Sequence, residues 1–168
     1  MERFPQKGVK LVRQGYVFVD RFDSPRSVID ALQSRFCDYA QELVFALYLD
    51  SSLRPLHYSI ISQGSLNGAV VNPADIFRIA LLSGAAKVIL LHNHPSGFLN
   101  PSTDDISLTS RLIEAGDLLG VEVLDHIIFG PMGYFSMRER DMISHRSCKY
   151  SKNLHELSFS KCAENLIL

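Results

Sequence analysis

The segment ELVFALYLD, residues 42–50, constrains the fold more than any other part of the chain. Side chains alternate between the two faces of a strand, and here Leu43, Phe45, Leu47 and Leu49 on one face oppose Val44, Ala46 and Tyr48 on the other. Both sets are largely apolar, so both faces need cover. A sheet with one wet face does not suit this segment, and a layered domain with helices packed on the sheet does.

The flanking sequence provides the layers. SPRSVIDALQSRF reads as a helix with Ser24 as N-cap and Pro25 at its first position, and VVNPADIFRIALLSG as a second, capped by Asn72, begun by Pro73 and stopped at Gly84. Ser51 and Ser52 break the first strand, and Leu56 to Ser62 is expected to return antiparallel to it. A strand over Lys87 to His92 comes next, and then Leu108, Leu112, Ala115 and Leu119 form one helical stripe ending at Gly120. VEVLDHIIFG and GYFSMRE read as two closing strands around a turn from Gly130 to Gly133, and Val9 to Val19 as a strand region ahead of the first helix. The class is α/β. At 168 residues with 46% hydrophobic composition, the chain suits one core, and the expected division is one domain over residues 1–143 with a C-terminal tail over 144–168.

Composition and patterning narrow the function. No early run combines a basic start, an apolar core and a small-residue cleavage site, and no apolar run approaches the roughly 20 residues of a membrane span, so a cytoplasmic protein without a membrane partner is expected. Cys37, Cys148 and Cys162 make an odd set without CxxC spacing, which indicates neither a disulfide framework nor a zinc ribbon. In the tail, the spacings of His145, Cys148, His155 and Cys162 match no familiar zinc module. A net charge of −1 gives no global field to attract nucleic acid, although Arg138, Arg140, Arg146, Lys149 and Lys152 make a loose basic run that reads as a solvated face or a weak DNA contact.

Chemistry concentrates in KVILLHNHPSGFLNPSTDDISLTSRL, residues 87–112. Residues i and i+2 of a strand share a face, so His92 and His94 can aim both rings at one point where the chain leaves the core. Pro95 and Gly97 turn the chain, and Ser102 opens a helix whose first turn carries Asp104 and Asp105. Two imidazoles and a carboxylate with an open fourth position match a catalytic zinc site. The same residues have plainer readings: Ser-x-x-Asp before an apolar run is also a capping box, and either aspartate suits the helix dipole. An iron oxygenase also uses two histidines and a carboxylate, but such sites usually sit in all-β barrels, and the zinc deaminases of similar layer plan need a Pro-Cys-x-x-Cys signature absent here.

HNHPSGFLNPSTDD resembles the motif of the RadC-type branch of the JAMM (MPN-type) metallopeptidases: His-x-His, a gap of seven residues, then Ser-x-x-Asp. QELVFALYLD, GSLNGAVVNPADIFRIAL and LDHIIFGPMGYFSMRER resemble the flanking segments of that family in the same order, over roughly residues 8–143. The resemblance implies a three-layer α/β/α fold with a mixed sheet, cytidine-deaminase-like, and one zinc ion. It also implies hydrolysis of a peptide or isopeptide bond in a peptide or protein substrate. It makes His92, His94 and Asp105, rather than Asp104, the metal ligands, Glu42 the upstream acid, and Ser102 an oxyanion stabiliser. Many RadC-type chains carry a helix-hairpin-helix region ahead of this domain, and the early first strand leaves no room for one here. A DNA-associated accessory protein with a structural or vestigial metal is the alternative.

Residue types bear on Glu42 independently. A metal-activated water needs a base within reach. Glu114 lies nine positions along the same helix as Asp105, about 13 Å away at about 1.5 Å per residue, whereas Glu42 opens a strand expected beside the one carrying the histidines. Taken alone, Glu42 also reads as a solvated strand-end residue, and Ser102 as a cap. Asn93 and Ser96 read either as partners that fix the imidazole tautomers or as ordinary loop polarity. His126, among apolar neighbours, reads as a residue that packs or bonds inside a strand, and His57 is uninformative.

Overall fold

The computed structural model describes residues 20–36, 41–64 and 71–143. The strand region expected over Val9 to Val19 and the tail over 144–168 lie outside the described residues. In chain order the elements are α1 (Pro25–Phe36), β1 (Leu43–Leu49), β2 (Pro55–Gln63), α2 (Pro73–Ser83), β3 (Lys87–Asn93), α3 (Thr103–Leu119), β4 (Glu122–Gly130) and β5 (Gly133–Ser136). The five strands form one sheet in the order β2-β1-β3-β4-β5. Only β3 and β4 run parallel, joined through α3, so the sheet is mixed as expected.

All seven residues of β1 are buried, which is what its doubly apolar pattern required. One face of the sheet sends Leu43, Phe45, Leu47, Leu49, Ile89, Leu91, Ile127 and Phe129 into a core with Val28, Ile29 and Leu32 of α1. The other sends Val44, Ala46, Tyr48, Val88 and Leu90 against Ile76, Phe77 and Ala80 of α2 and Leu108 and Leu112 of α3. The fold is therefore three-layered, α/β/α. Burying each large apolar side chain contributes about 1.5–3 kcal/mol, so these two cores fix the register of β1 on β3 more firmly than any surface contact does.

Local chemistry explains the helix ends. The Ser24 hydroxyl accepts from the backbone N–H of Ser27, and Asn72 Oδ1 accepts from that of Ala74, each just outside a helix begun by proline. Gly84 takes a left-handed φ of +67° and donates to Ala80 and Leu81, closing α2. The expected stripe on α3 needs one correction. Leu119 is exposed, and the buried face is Asp105, Leu108, Thr109, Leu112 and Gly116. At Gly116 a Cβ would lie 2.4 Å from the carbonyl oxygen of Val121, so the chain folds back across the helix one turn before its end and Leu119 is left outside.

Candidate metal centre

The site forms where β1 begins and β3 ends. In the antiparallel register Val44 pairs with His92, which sets Glu42, just ahead of β1, beside the end of β3. Along β3, Val88 and Leu90 face α2 and α3, and His92 continues that alternation toward α3. Glu42 Oε2 lies 3.8 Å from His92 Nε2, and the rings of His92 and His94 stand nearly perpendicular with centroids 4.6 Å apart. Ligand atoms of Glu42, His92 and His94 fall within 4.8 Å of one another.

Asn93 holds this corner together. Its Oδ1 accepts from the backbone N–H of Leu43 and its Nδ2 donates to the carbonyl of Gln41, so one buried side chain grips the backbone on both sides of Glu42. It does not bond either imidazole. The His94 ring is instead fixed by its own loop, with Nδ1 against the carbonyl oxygen of Phe98, while its backbone N–H donates to Phe129 of β4 at 2.8 Å. That approach depends on Gly130, where a Cβ would come within 2.9 Å of the His94 carbonyl oxygen.

Both imidazoles have assigned tautomers. A carbonyl oxygen can only accept, so His94 Nδ1 carries its proton and Nε2 is left as a lone pair. His92 Nδ1 lies 3.0 Å from Asp105 Oδ1. Burial by itself pushes the Asp105 carboxyl up, but hydrogen bonds from His92 and from the Ser102 side chain and backbone together hold it well below the usual carboxylate range. An ionised carboxylate also only accepts, so His92 Nδ1 donates, and in the neutral ring Nε2 is then the second free lone pair. A carboxylate or carbonyl behind the ring is the usual setting for a metal-binding histidine. Two imidazoles and nearby carboxylates form a donor set that zinc accepts readily, so the residues present fit the expected kind of ion.

Asp105 and Asp104 differ in their surroundings. Asp105 is buried and bonded, and Asp104 is exposed. Yet the structure places Asp105 on the Nδ1 side of His92, away from the side where Glu42 and His94 converge. It gathers Asp105 with His92 and His126 in a second group of ligand atoms within 4.8 Å. Ser102 is the N-cap of α3: its hydroxyl donates to Asp105 Oδ2 at 2.6 Å and accepts from the Asp105 backbone N–H at 3.1 Å, a complete capping box. Its one hydrogen is already committed. Ser96 is exposed on the loop, and Glu114 is exposed on α3. His126 does bond inside the fold, through Thr109, but its place beside His92 and Asp105 was missed from sequence because it depends on how β4 registers against β3.

Among the described residues, no helix is long and apolar enough to cross a membrane. Comparison with known proteins gives a family match: the model of the RadC-like JAB domain matches residues 22–142. The chain is similar to a UPF0758 protein of Geotalea uraniireducens, 45% identical over 125 residues covering 74% of this chain and 55% of that one. It is similar to another of Syntrophotalea carbinolica, 44% identical over 124 residues with the same coverages, 74% and 55%. An archaeal relative, the UPF0758 protein of Methanosarcina acetivorans, is 38% identical over 138 residues, 80% of this chain and 60% of that one. The chain thus spans little more than half the length of these relatives.

Proposed function

Because this chain belongs to the RadC-like JAB domain family, we propose that it is a zinc-dependent hydrolase of peptide or isopeptide bonds, with His92 and His94 as metal ligands, Asp105 as the carboxylate that backs His92, and Glu42 as its general base. The observation that carries the reading is the pair of bonds that takes up the Nδ1 proton of each imidazole and leaves both Nε2 atoms bare beside an exposed glutamate. A structural site would be closed. Here the Glu42 side chain is 59% exposed, so the site has an open side for water and substrate.

When bound, zinc supplies Lewis-acid activation of water and polarises the scissile carbonyl. Glu42 takes the proton from the attacking water on a carboxylate oxygen and returns it to the leaving amine. Asn93 aims it by gripping Gln41 and Leu43. Asp105 holds the His92 ring and its tautomer from behind, and Ser102 in turn holds Asp105. An oxyanion role for Ser102 requires it to give up its bond to Asp105, so the positioning role is the one assigned.

The test pairs a rate with two controls. In Glu42→Gln, cleavage of a defined peptide or isopeptide found by screening falls about 10²–10⁴-fold, the usual share of a general acid–base group. Zinc content and melting temperature stay as in the parent. Full activity with normal zinc makes Glu42 a solvated strand-end residue, and joint loss of zinc and stability makes it structural.

A further inference from the structure

His126 is the one imidazole near the site that the reading above leaves without work. It lies on β4 and is 1% exposed, with its ring nearly parallel to that of His92 at a centroid distance of 6.4 Å. Its Nδ1 lies 2.7 Å from the hydroxyl of Thr109, and that hydroxyl lies 2.7 Å from the backbone carbonyl oxygen of Asp105. The carbonyl only accepts, so the single Thr109 hydrogen goes to it, and the hydroxyl oxygen accepts the His126 Nδ1 proton. Met137 Sδ, 3.4 Å from the same hydroxyl, offers no stronger claim on that hydrogen.

This assignment leaves His126 Nε2 as a bare acceptor. It is buried and has no hydrogen-bond partner. A ring nitrogen of His126 lies with ligand atoms of His92 and Asp105 within 4.8 Å of one another. A buried acceptor left without a donor is unfavourable, and a positive species bound among these groups removes that cost.

We propose that His126 Nε2, Asp105 and His92 Nδ1 form a second, inner position for a divalent cation of the zinc class, on the opposite edge of the His92 ring from Glu42 and His94. Spacing supports it. Donors about 2.0–2.1 Å from a tetrahedral ion stand roughly 3.3 Å apart, and His92 Nδ1 and Asp105 Oδ1 are already 3.0 Å apart. His126 is presented in the tautomer an ion needs, with Thr109 behind it as the acceptor that usually backs a metal-binding histidine. For the inner ion to bind, the His92 proton moves from Nδ1 to Nε2, and that removes the lone pair required on the outer side. One ring therefore serves one position at a time, and the inner position stores an ion out of contact with solvent. The proposal rests on the metal reading above in sharing His92 and Asp105.

The experiment uses the full chain, labelled with ¹⁵N-histidine and loaded with one equivalent of ¹¹³Cd²⁺ as a spectroscopic stand-in for zinc. Side-chain nitrogen spectra should show one-bond cadmium coupling at His126 Nε2 and His92 Nδ1, with His126 Nδ1 still protonated. A His126→Gln variant, its fold checked by metal-free melting, should lose that signal and bind zinc about 10-fold or more weakly in competition with a chromophoric chelator. Coupling confined to His92 and His94 overturns the inner position and leaves the proposed function standing. Absence of bound cadmium anywhere overturns both.

Discussion

The two ends of the sheet handle their polar residues in opposite ways. At the end where β3 and β4 begin, Lys87 pairs with Glu122, and buried Asp125 accepts from the Ser136 hydroxyl at 2.6 Å and from the Arg138 backbone N–H at 3.0 Å. Donors there meet acceptors. At the end where β3 finishes, His92, His94 and His126 each carry an Nε2 to which no donor bonds, set around carboxylates. A cavity of about 570 Å³ lies at the first end, lined by Ser24, Ser51, Lys87, Leu124 and Arg138 among others, whereas the proposed metal site lies at the second. Concavity alone points to the first end, and the mismatch of donors and acceptors supports the proposed site at the second.

The largest effect expected from this contrast is on metal content. His92→Ala combined with His94→Ala should abolish zinc in protein purified without added metal, measured by atomic absorption. Lys87→Ala combined with Glu122→Ala should leave it unchanged. Equal zinc in the two double variants breaks the comparison. The next effect separates neighbouring carboxylates: Asp105→Ala should weaken zinc binding by about 10–100-fold, as loss of the carboxylate backing a metal-binding histidine does, and cost about 1 kcal/mol of stability with the capping box. Asp104→Ala should change stability by about 0.3–1 kcal/mol through the helix dipole and leave binding alone. Chelator competition and urea denaturation together read both.

Much of this arrangement was legible before any coordinates. The two apolar faces of β1, the Ser24-Pro25 and Asn72-Pro73 starts and the Gly84 and Gly120 stops each depend on neighbouring residues, so local chemistry reveals them. Glu42, His92, His94, Ser102 and Asp105 were singled out through the motif resemblance, and the structure gathers Glu42 with the two histidines and Ser102 with Asp105. What escaped depends on contacts between distant segments. Leu119 falls off the buried face because Val121 returns onto Gly116. Asn93 grips the start of β1 fifty residues earlier in the chain. His126 reaches His92 because β4 lies parallel to β3 with a register shift between Val88 and Ile89, and no local spacing encodes that shift.

That hidden histidine should dominate acid sensitivity of the metal-free protein. Burial, opposed by the nearby charge of Asp105, pushes the His126 imidazole down to about 3. An unfolded histidine takes its proton near pH 6.5, about, so between that point and the folded value the unfolded chain binds a proton the native one refuses. Above about pH 6.5 the group contributes nothing, and below it stability falls by up to about 1.4 kcal/mol per pH unit. Asp105, depressed instead, adds a loss in the same direction only below its ordinary value of about 4. Urea midpoints from pH 7 to 4.5 should show the slope, and His126→Gln should flatten it, while His57, also lowered by burial, keeps its own contribution in both proteins. An unchanged slope would mean that His126 is protonated in the native state, which contradicts the tautomer assigned to it.

The smallest effect belongs to the satisfied end. Lys87 and Glu122 are register partners at the first residues of β3 and β4, with side chains 21% and 33% exposed. Partial exposure means solvent screens the pair, and such pairs are worth about 0.2–1 kcal/mol. Lys87→Met keeps most of the aliphatic stem that packs along the strand while removing the charge. Stability should therefore fall by less than about 1 kcal/mol, with the difference shrinking in high salt as screening weakens the parent pair. Zinc affinity should not move, because Val88, Ile89, Leu90 and Leu91, which separate Lys87 from His92, are held by two apolar cores that the substitution does not touch. A change in zinc affinity on Lys87→Met, read by the same chelator competition, would mean that charge at one end of β3 is felt at the other and that the two ends are not independent.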